Sequence, residues 1–288
     1  MLIVIVFLIP VFWQLNDYTG ENPGPKIQRD YGDDYNSTSK SQIHEIEVQN
    51  DLSMVGAMYF LCVMQMFLNF LPTVIVFQGE KPIFVRERAS NMYDIWVYAT
   101  TKMFAEIPIM LLTPAILVLA IYFAIGFVDS AATFFQFYLI IALMVQAATA
   151  MGYFLSSAFN SETAAVAFAP IINMPLTLLG GYMINLGSIK GQYPQVIVEW
   201  VQYLSPVRYC FNGLMQAQWE TYCTTTTESN YSYYACGNTY PATEGDISII
   251  KYYGTNISFW GCAGGLFALW IGMRACTVIS LILQDAQC

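Results

Sequence analysis

Few side chains in this sequence have the type and spacing that a catalytic or metal-binding site requires. The chain has one histidine, His44, and seven cysteines, and no Cys/His spacing suits zinc. No nucleophile stands in a recognisable pattern with a general base, and no Gly-x-x-x-x-Gly-Lys-Ser/Thr loop is present to hold the phosphates of ATP. The sequence therefore predicts no enzyme activity, no metal site and no cofactor within this chain.

The charged pair with the most suggestive spacing is Lys102 and Glu106, which stand four residues apart. On a helix such residues share a face and can form an ion pair. Ionisable groups at membrane depth are costly and are usually paired and functional. Close to the membrane surface, a lysine can instead extend its ammonium group to the lipid headgroups. The sequence leaves both interpretations of this polar pair open.

Polar residues also stand four apart at Asn173 and Thr177, in an apolar segment that contains Pro170 and Pro175. Proline removes backbone hydrogen bonds, which in a bilayer must be replaced by neighbouring groups or by water in a cavity. Helices interrupted in this way often line the binding sites of transporters. We therefore expect Asn173 and Thr177 to face a cavity. The alternative is a kinked packing helix whose small residues allow close contact.

The composition indicates which elements must position these side chains. Hydrophobic residues make up 56% of the chain and charged residues 11%, about half the charged share of an ordinary soluble domain. No basic patch interleaved with aromatic residues is present, so nucleic acid is not an expected partner. The sequence indicates an integral, multi-pass membrane protein surrounded by lipid, in the plasma membrane or an endomembrane.

The expected fold is an all-α, six-span polytopic bundle with a large outer loop before its last span. Five apolar stretches reach the roughly 20 residues that a helix needs to cross a bilayer. A sixth, at the start, is shorter and lacks the basic region and cleavage site of a signal peptide, so we interpret it as the outer end of a truncated first span. The predicted spans are 1–15, 52–77, 97–127, 131–158, 163–184 and 258–283.

Basic residues predict the orientation of these spans, because cytoplasmic loops are enriched in lysine and arginine. The densest basic cluster consists of Lys81, Arg86, Arg88 and Lys102. We therefore expect the segment 78–96 to be cytoplasmic. The two long loops, which are acidic on balance, are then outside; they are 16–51 and 185–257.

Three acceptor sequences for N-glycosylation lie in the segments predicted to be outside, at Asn36, Asn230 and Asn256. Their position agrees with the orientation that the basic residues give, although so short a motif also arises by chance. The 1–288 range would then form one membrane domain with its modification sites on the outer loops.

The cysteines divide by compartment. Cys223 and Cys236 lie in the last outer loop, where the redox environment favours a disulfide, and Cys210 is an alternative partner or an interchain one. The cysteines within predicted spans are expected to be packed thiols without chemistry. These are Cys62, Cys262 and Cys276.

Two amphipathic segments flank the spans. The segment Glu80 to Arg88 is charged with Phe84 in its middle, so it can lie on the membrane surface and press into a cytoplasmic partner. The alternative is an ordinary solvated loop. The segment 195–219 is too polar to span, and we expect two short helices in the outer leaflet. Their predicted interfacial anchors are Trp200, Tyr203, Tyr209 and Trp219.

Three segments of the chain resemble the membrane domain of the G subfamily of ATP-binding cassette transporters, the White-type half transporters. They are 80–108, 180–185 (Gly-Gly-Tyr-Met-Ile-Asn) and 203–209 (Tyr-Leu-Ser-Pro-Val-Arg-Tyr). Arg274 matches a frequent arginine of that family, whereas Pro206 stands where the family usually has an aromatic residue. The resemblance covers nearly the whole chain.

The resemblance implies a coupling helix within 80–90, which passes motion from a nucleotide-binding domain to the spans. It also implies a two-fold dimer, with itself or with another half transporter. In this family the nucleotide-binding domain precedes the membrane domain; it is absent from this sequence and would act in cis or as a separate subunit, binding ATP and Mg²⁺. The matched coupling residues are Glu80, Phe84, Arg86, Glu87 and Arg88.

The resemblance further implies a central substrate cavity lined by the second and fifth spans. An outer gate would be formed by Tyr182 and Met183, and the family's disulfide in its last outer loop supports the pair Cys223–Cys236. The matched cavity residues are Met64, Phe67, Asn173, Met174 and Thr177.

The leading functional hypothesis is the permease part of an ATP-driven exporter of hydrophobic or amphipathic small molecules, such as a lipid, sterol, pigment or xenobiotic. The alternative is a non-transporting membrane scaffold or regulatory partner that lacks an ATPase domain.

Overall fold

The computed structural model of the protein describes residues 37–125, 127, 130–183, 201–225 and 257–285, with side chains from Leu52 onward except at 220–225 and 285. Every regular element in these ranges is helical. The elements are α1 (Ser37–Ala89), α2 (Ile95–Ile125), α3 (Ala131–Ala158), α4 (Glu162–Leu178), a 3₁₀ turn (Gln202–Leu204), α5 (Pro206–Thr225) and α6 (Phe259–Asp285). The all-α bundle is as the sequence predicts.

Four helices in the described ranges are long and apolar enough to cross a membrane. They are α1 from Leu52 onward, α2, α3 and α6, and α4 is a shorter apolar helix of 17 residues. The predicted first span, at 1–15, lies outside the described residues. The protein is therefore an integral, multi-pass membrane protein.

Helix α1 differs most from the sequence-based boundaries. The sequence predicts a span at 52–77 between two loops, whereas one helix of 53 residues runs from Ser37 to Ala89 with Pro72 and Pro82 inside it. At about 1.5 Å per residue this helix is about 80 Å long, well beyond the roughly 30 Å of the hydrocarbon core. The sequence becomes more polar after Phe77, and the helix continues through this polar segment to Ala89.

Helix α3 forms the centre of the bundle. In the most apolar 18-residue stretch of α3, 83% is buried inside the protein. The corresponding shares are 28% in α2 and 22% in α6, so those two helices lie at the periphery. Small residues allow neighbours to approach closely: a Cβ on Gly152 would lie 2.9 Å from the backbone oxygen of Phe70 in α1. Helix α3 contacts all five other helices.

Helix α4 remains continuous through Pro170 and Pro175 and ends at Leu178, so the prolines do not break it. Its last carbonyls lack helical partners, as at every helix end. Tyr59 donates its hydroxyl to the oxygen of Thr177 (2.6 Å), and Ser205 donates to the oxygen of Leu176 (2.6 Å). Neighbouring side chains thus satisfy carbonyl groups at the end of α4.

Helix α5 packs into the bundle. Its residues from Pro206 to Trp219 are mostly buried, and it contacts α1, α3, α4 and α6. Trp219, a predicted interfacial anchor, is 2% exposed and belongs to the core; Tyr203 is 52% exposed, as an anchor requires. The interfacial interpretation is therefore wrong for Trp219, because α5 is covered by four other helices of the bundle.

Candidate functional site

A network of charged groups joins four helices at the end of the bundle that the basic residues predict to be cytoplasmic. The ammonium group of Lys102 in α2 contacts Glu80 of α1 and lies 3.4 Å from Oε1 of Glu106, to which Tyr153 of α3 donates its hydroxyl. A guanidinium nitrogen of Arg274 in α6 lies 3.2 Å from Oε2 of the same carboxylate. We call these five residues the polar network.

The polar network is sheltered and its charges cancel. The side chains of Lys102, Glu106 and Arg274 are 15%, 21% and 13% exposed, and Glu80 is the most exposed at 40%. Two cations face two carboxylates, and the guanidinium of Arg274 also stacks 4.3 Å from the ring centre of Tyr153. Because each charge has an opposite partner, the network escapes much of the cost of burying ions.

The sequence supplied only part of this network. The i,i+4 spacing of Lys102 and Glu106 offered their pairing as one of two interpretations, but Glu80 was assigned to coupling alone and Tyr153 was missed. Arg274 is the single charged residue of the predicted last span, and a lone charge at that depth is itself a signal for a buried partner. Tyr153 carries no sequence signal, because an apolar helix commonly contains tyrosine.

The turn after α1 folds back on the helix end. Arg88 donates to the backbone oxygen of Tyr93 (3.3 Å) and pairs with Asp94 (3.3 Å). Tyr93 donates its hydroxyl to Glu87 (2.5 Å), and burial together with this carboxylate raises the pKa of Tyr93 to about 12. The phenol is therefore neutral at physiological pH and acts as a donor. Glu87 and Arg88 fix the turn that starts α2.

The predicted coupling residues thus have different surroundings. Phe84 is 6% exposed and packs on Tyr98, with ring centres 4.4 Å apart, so it joins α1 to α2 inside the protein. Arg86 is exposed. Beside it, Ile83 and Val85 are 57% and 51% exposed, and the sequence pattern did not single them out. These three residues form an exposed surface at the end of α1.

Lys81, which helped to define the orientation, has a structural role. Its ammonium group donates to the backbone oxygens of Phe159 (2.8 Å) and Ser157 (3.2 Å) at the end of α3. Gln78 of α1 donates to Ser156 (2.7 Å), and Gln284 of α6 donates to Ser157 (2.6 Å). A cation at a helix C-terminus is favourable for the helix dipole. Side chains of α1 and α6 thus hold the end of the central helix.

The predicted cavity residues do not share one open surface. Asn173 is 0% exposed, and both polar atoms of its amide lack a hydrogen-bond partner among the described residues. Thr177 is 8% exposed and donates to the backbone oxygen of Met174 (2.8 Å). Met174 is 58% exposed, whereas Met64 and Phe67 are half-buried on α1. Asn173 and Thr177 point into the protomer, while Met174 points out of it.

The predicted outer gate lies directly after α4, where Gly181 adopts a positive φ of 97°. Tyr182 is half-buried and stacks on Tyr59, with ring centres 4.9 Å apart, and Met183 is 64% exposed. A Cβ on Gly180 would lie 2.7 Å from Val207 and 2.9 Å from Tyr59. The turn is therefore held tightly against α1 and α5.

Cys62 and Cys210 lie side by side, with their sulfur atoms 3.0 Å apart, and both are free thiols. The sequence predicts Cys62 as a packed thiol within a span and Cys210 as an alternative disulfide partner, so it does not predict their contact. The remaining outer-loop predictions, Asn36, Asn230, Asn256 and Cys236, lie outside the described residues. Cys223 lies in α5, but its side chain is not described.

Comparison with known proteins agrees with this architecture. Residues 1–219 match the family model described as ABC-2 type transporter. The chain is 32% identical to Protein white of Drosophila melanogaster over 178 residues, which cover 62% of this chain and 25% of that protein. It is 28% identical to ABC transporter G family member 1 of Dictyostelium discoideum over 238 residues, covering 81% of this chain and 29% of that protein.

A third similar protein, ABC transporter G family member 21 of Arabidopsis thaliana, is 26% identical over 165 residues, or 57% of this chain and 24% of that protein. The chain thus spans about a quarter of the length of these relatives. With a helical membrane bundle and a family match over most of its length, the chain belongs to the ABC-2 type transporter family, as the membrane domain of a G-subfamily, White-type half transporter.

Proposed function

We propose that the protein is the permease part of an ATP-driven exporter of hydrophobic or amphipathic small molecules. The observation that carries this proposal is the polar network, which joins α1 to α2, α3 and α6 close to the exposed end of α1. A displacement of that end changes which carboxylate Lys102 meets, and so acts on helices on both sides of the bundle. Movement of a partner at the surface of α1 can reach the spans by this route.

The source of energy in this proposal is a nucleotide-binding domain that binds ATP and Mg²⁺, either in cis or as a separate subunit. Its docking surface is the exposed group Ile83, Val85 and Arg86 at the end of α1. Two apolar side chains beside a cation suit a protein surface with an apolar pocket and an acidic rim. Phe84, buried under the same turn, transmits the displacement to α2.

The proposal also requires a second half transporter, identical or related. One side of α4 carries a row of exposed apolar side chains at spacings of three and four residues, as on one helix face. They are Phe168, Ile171, Met174 and Leu178, at 46%, 62%, 58% and 44% exposure. A matching helix of a second protomer, or substrate between the two, would cover this row. Methionine and phenylalanine adapt to many apolar shapes, which supports a hydrophobic or amphipathic substrate.

The test uses the full-length protein with its nucleotide-binding domain, reconstituted in liposomes. ATP hydrolysis and ATP-dependent uptake of an amphipathic dye are measured in parallel. The double variant Ile83→Ala, Val85→Ala should lose uptake while hydrolysis continues, because the docking surface is removed and the ATPase is not.

The matched control is Ile116→Ala, Leu119→Ala, which removes two equally exposed side chains from the peripheral helix α2 (50% and 55%). It should leave uptake per ATP unchanged. Equal loss in both double variants contradicts the assignment of the docking surface. A wild-type protein that hydrolyses ATP without moving any amphipathic molecule contradicts the exporter and favours a scaffold role.

A further inference from the structure

A groove separates the peripheral helices α2 and α6 beside the polar network. Its cavity measures about 200 Å³, and Phe77 and Tyr153 form its floor. Its walls are apolar and include Ala99 and Met103 on α2 with Val278 and Leu281 on α6. The groove opens to the outside of the bundle beside Trp96, which is 58% exposed. An apolar groove on the periphery of a membrane protein is accessible to the apolar part of a lipid.

The charges on the groove wall are of one sign. Lys102 and Arg274 line it, whereas none of its described lining residues is acidic. Their carboxylate partners, Glu80 and Glu106, are not among the residues that line the groove. Thr100 and Thr277 add hydroxyl groups to the lining. A ligand in the groove therefore meets two cationic donors at one place and hydrocarbon elsewhere, which is complementary to an amphiphile with an anionic head.

The position of the cations along the helix fits a lipid headgroup. Helix α2 has 31 residues and is about 46 Å long, longer than the roughly 30 Å of the hydrocarbon core, so its first turns lie at headgroup level. Lys102 follows the start of α2 by about 10 Å. Trp96 lies in the first turn of α2, before Lys102, and tryptophan is common at the membrane interface. The cations are thus at the depth where a phosphate joins its acyl chains.

We propose that this groove binds an anionic phospholipid of the predicted cytoplasmic leaflet, with the phosphate at Lys102 and Arg274 and part of one acyl chain between α2 and α6. Basic pockets between membrane helices on the cytoplasmic side are known to hold such headgroups. A bound phosphate competes with Glu80 and Glu106 for the same two cations. The lipid therefore acts on the polar network directly, whichever molecule the protein transports.

The experiment measures lipid retention by native mass spectrometry. The purified full-length protein is exchanged into micelles containing equal amounts of phosphatidylserine and phosphatidylcholine, and retained lipids are counted. Ala275→Trp fills the groove, because Ala275 lines it; the control Ala268→Trp places the same ring on an exposed position of α6 outside the lining. Wild type and control should retain phosphatidylserine over phosphatidylcholine. Ala275→Trp should lower that retention about tenfold, equivalent to about 1.4 kcal/mol of binding free energy.

A second pair on α2 repeats the comparison in case Ala275→Trp does not fold: Ala99→Trp lies in the groove and Ala105→Trp is an exposed control outside it. Equal retention of the two lipids by the wild type would overturn the proposal. So would retention that neither groove variant reduces. Displacement of phosphatidylserine by an equal concentration of oleate would assign the groove to a free carboxylate and likewise refute a phospholipid site.

Discussion

The two ends of the bundle are held together by different interactions. At the network end, Glu80, Lys102, Glu106 and Arg274 join helices through ion pairs of 3.2 to 3.4 Å and shorter contacts. At the other end, which we call the aromatic end, Tyr59, Tyr182 and Phe211 pack ring on ring, and the turn at Gly180 leaves no room for another carbon atom.

The difference shows which end can change its contacts in steps. Lys102 has two carboxylate partners on two helices, so it can give up one ion pair while keeping the other. Close-packed side chains have no such alternative, because any displacement either opens a cavity or produces an overlap. The network end is suited to switching, and the aromatic end to holding a fixed turn.

The largest expected effect is at the network end. Glu106→Gln removes the carboxylate that both Lys102 and Arg274 contact and leaves one partly buried cation without a counter-charge. Breaking a buried ion pair costs about 3–5 kcal/mol of folding free energy. The variant should therefore show a clearly lower melting temperature in detergent, measured by tryptophan fluorescence.

Glu162→Gln is the matched control, because Glu162 is an exposed carboxylate at the start of α4. It should melt close to the wild type. In the double variant Glu106→Gln, Arg274→Gln part of the loss should be recovered, since the unpaired cation is also removed. A double variant less stable than Glu106→Gln alone would refute charge balance as the source of the stability.

At the aromatic end we expect an intermediate effect from a single methyl group. Gly180→Ala places a carbon 2.7 Å from Val207 and 2.9 Å from Tyr59, and overpacking of this kind costs about 1–3 kcal/mol. Gly272→Ala is the control, because a Cβ there would have no atom within 4 Å and alanine favours the helix interior. Melting temperatures should fall for Gly180→Ala alone. Equal melting of both variants would show that the turn has space.

The smallest effect concerns pH. The pKa of Tyr93 is raised from 10.0 to about 12, so the neutral phenol is favoured by folding; its contribution is complete below pH 10 and is lost as the pH rises toward 12. The difference in melting temperature between wild type and Tyr93→Phe should be constant up to pH 10 and shrink above it. A difference that does not change up to pH 12 would mean that the bond to Glu87 does not depend on the phenolic proton.

How far the sequence predicts the structure depends on the kind of signal. Hydrophobic length located α2, α3 and α6 to within a few residues, because the bilayer imposes that length on each span independently. It failed for α1, where the polar segments on either side of 52–77 are helical as well. Hydrophobicity records the solvent around a helix, and hydrogen bonding within the helix continues wherever no residue prevents it.

The candidate site shows the same division. The spacing of Lys102 and Glu106 is local, and the sequence contains it. Arg274 meets Glu106 across 168 positions, and the contact of Cys62 with Cys210 spans 148, so neither is visible in any window of sequence. Asn173 and Met174 are neighbours in sequence but face opposite environments, because the helix rotates by about 100° between them and only one side of α4 meets the bundle.

By itself, the sequence determined that this chain spans a membrane and which family it resembles, because both follow from the composition and pattern of single segments. The tertiary structure decided which side of each helix is buried, which charges meet and where the peripheral groove lies. These depend on contacts between helices whose rotation about their axes is set by packing against α3, and hydrophobic length does not encode that rotation.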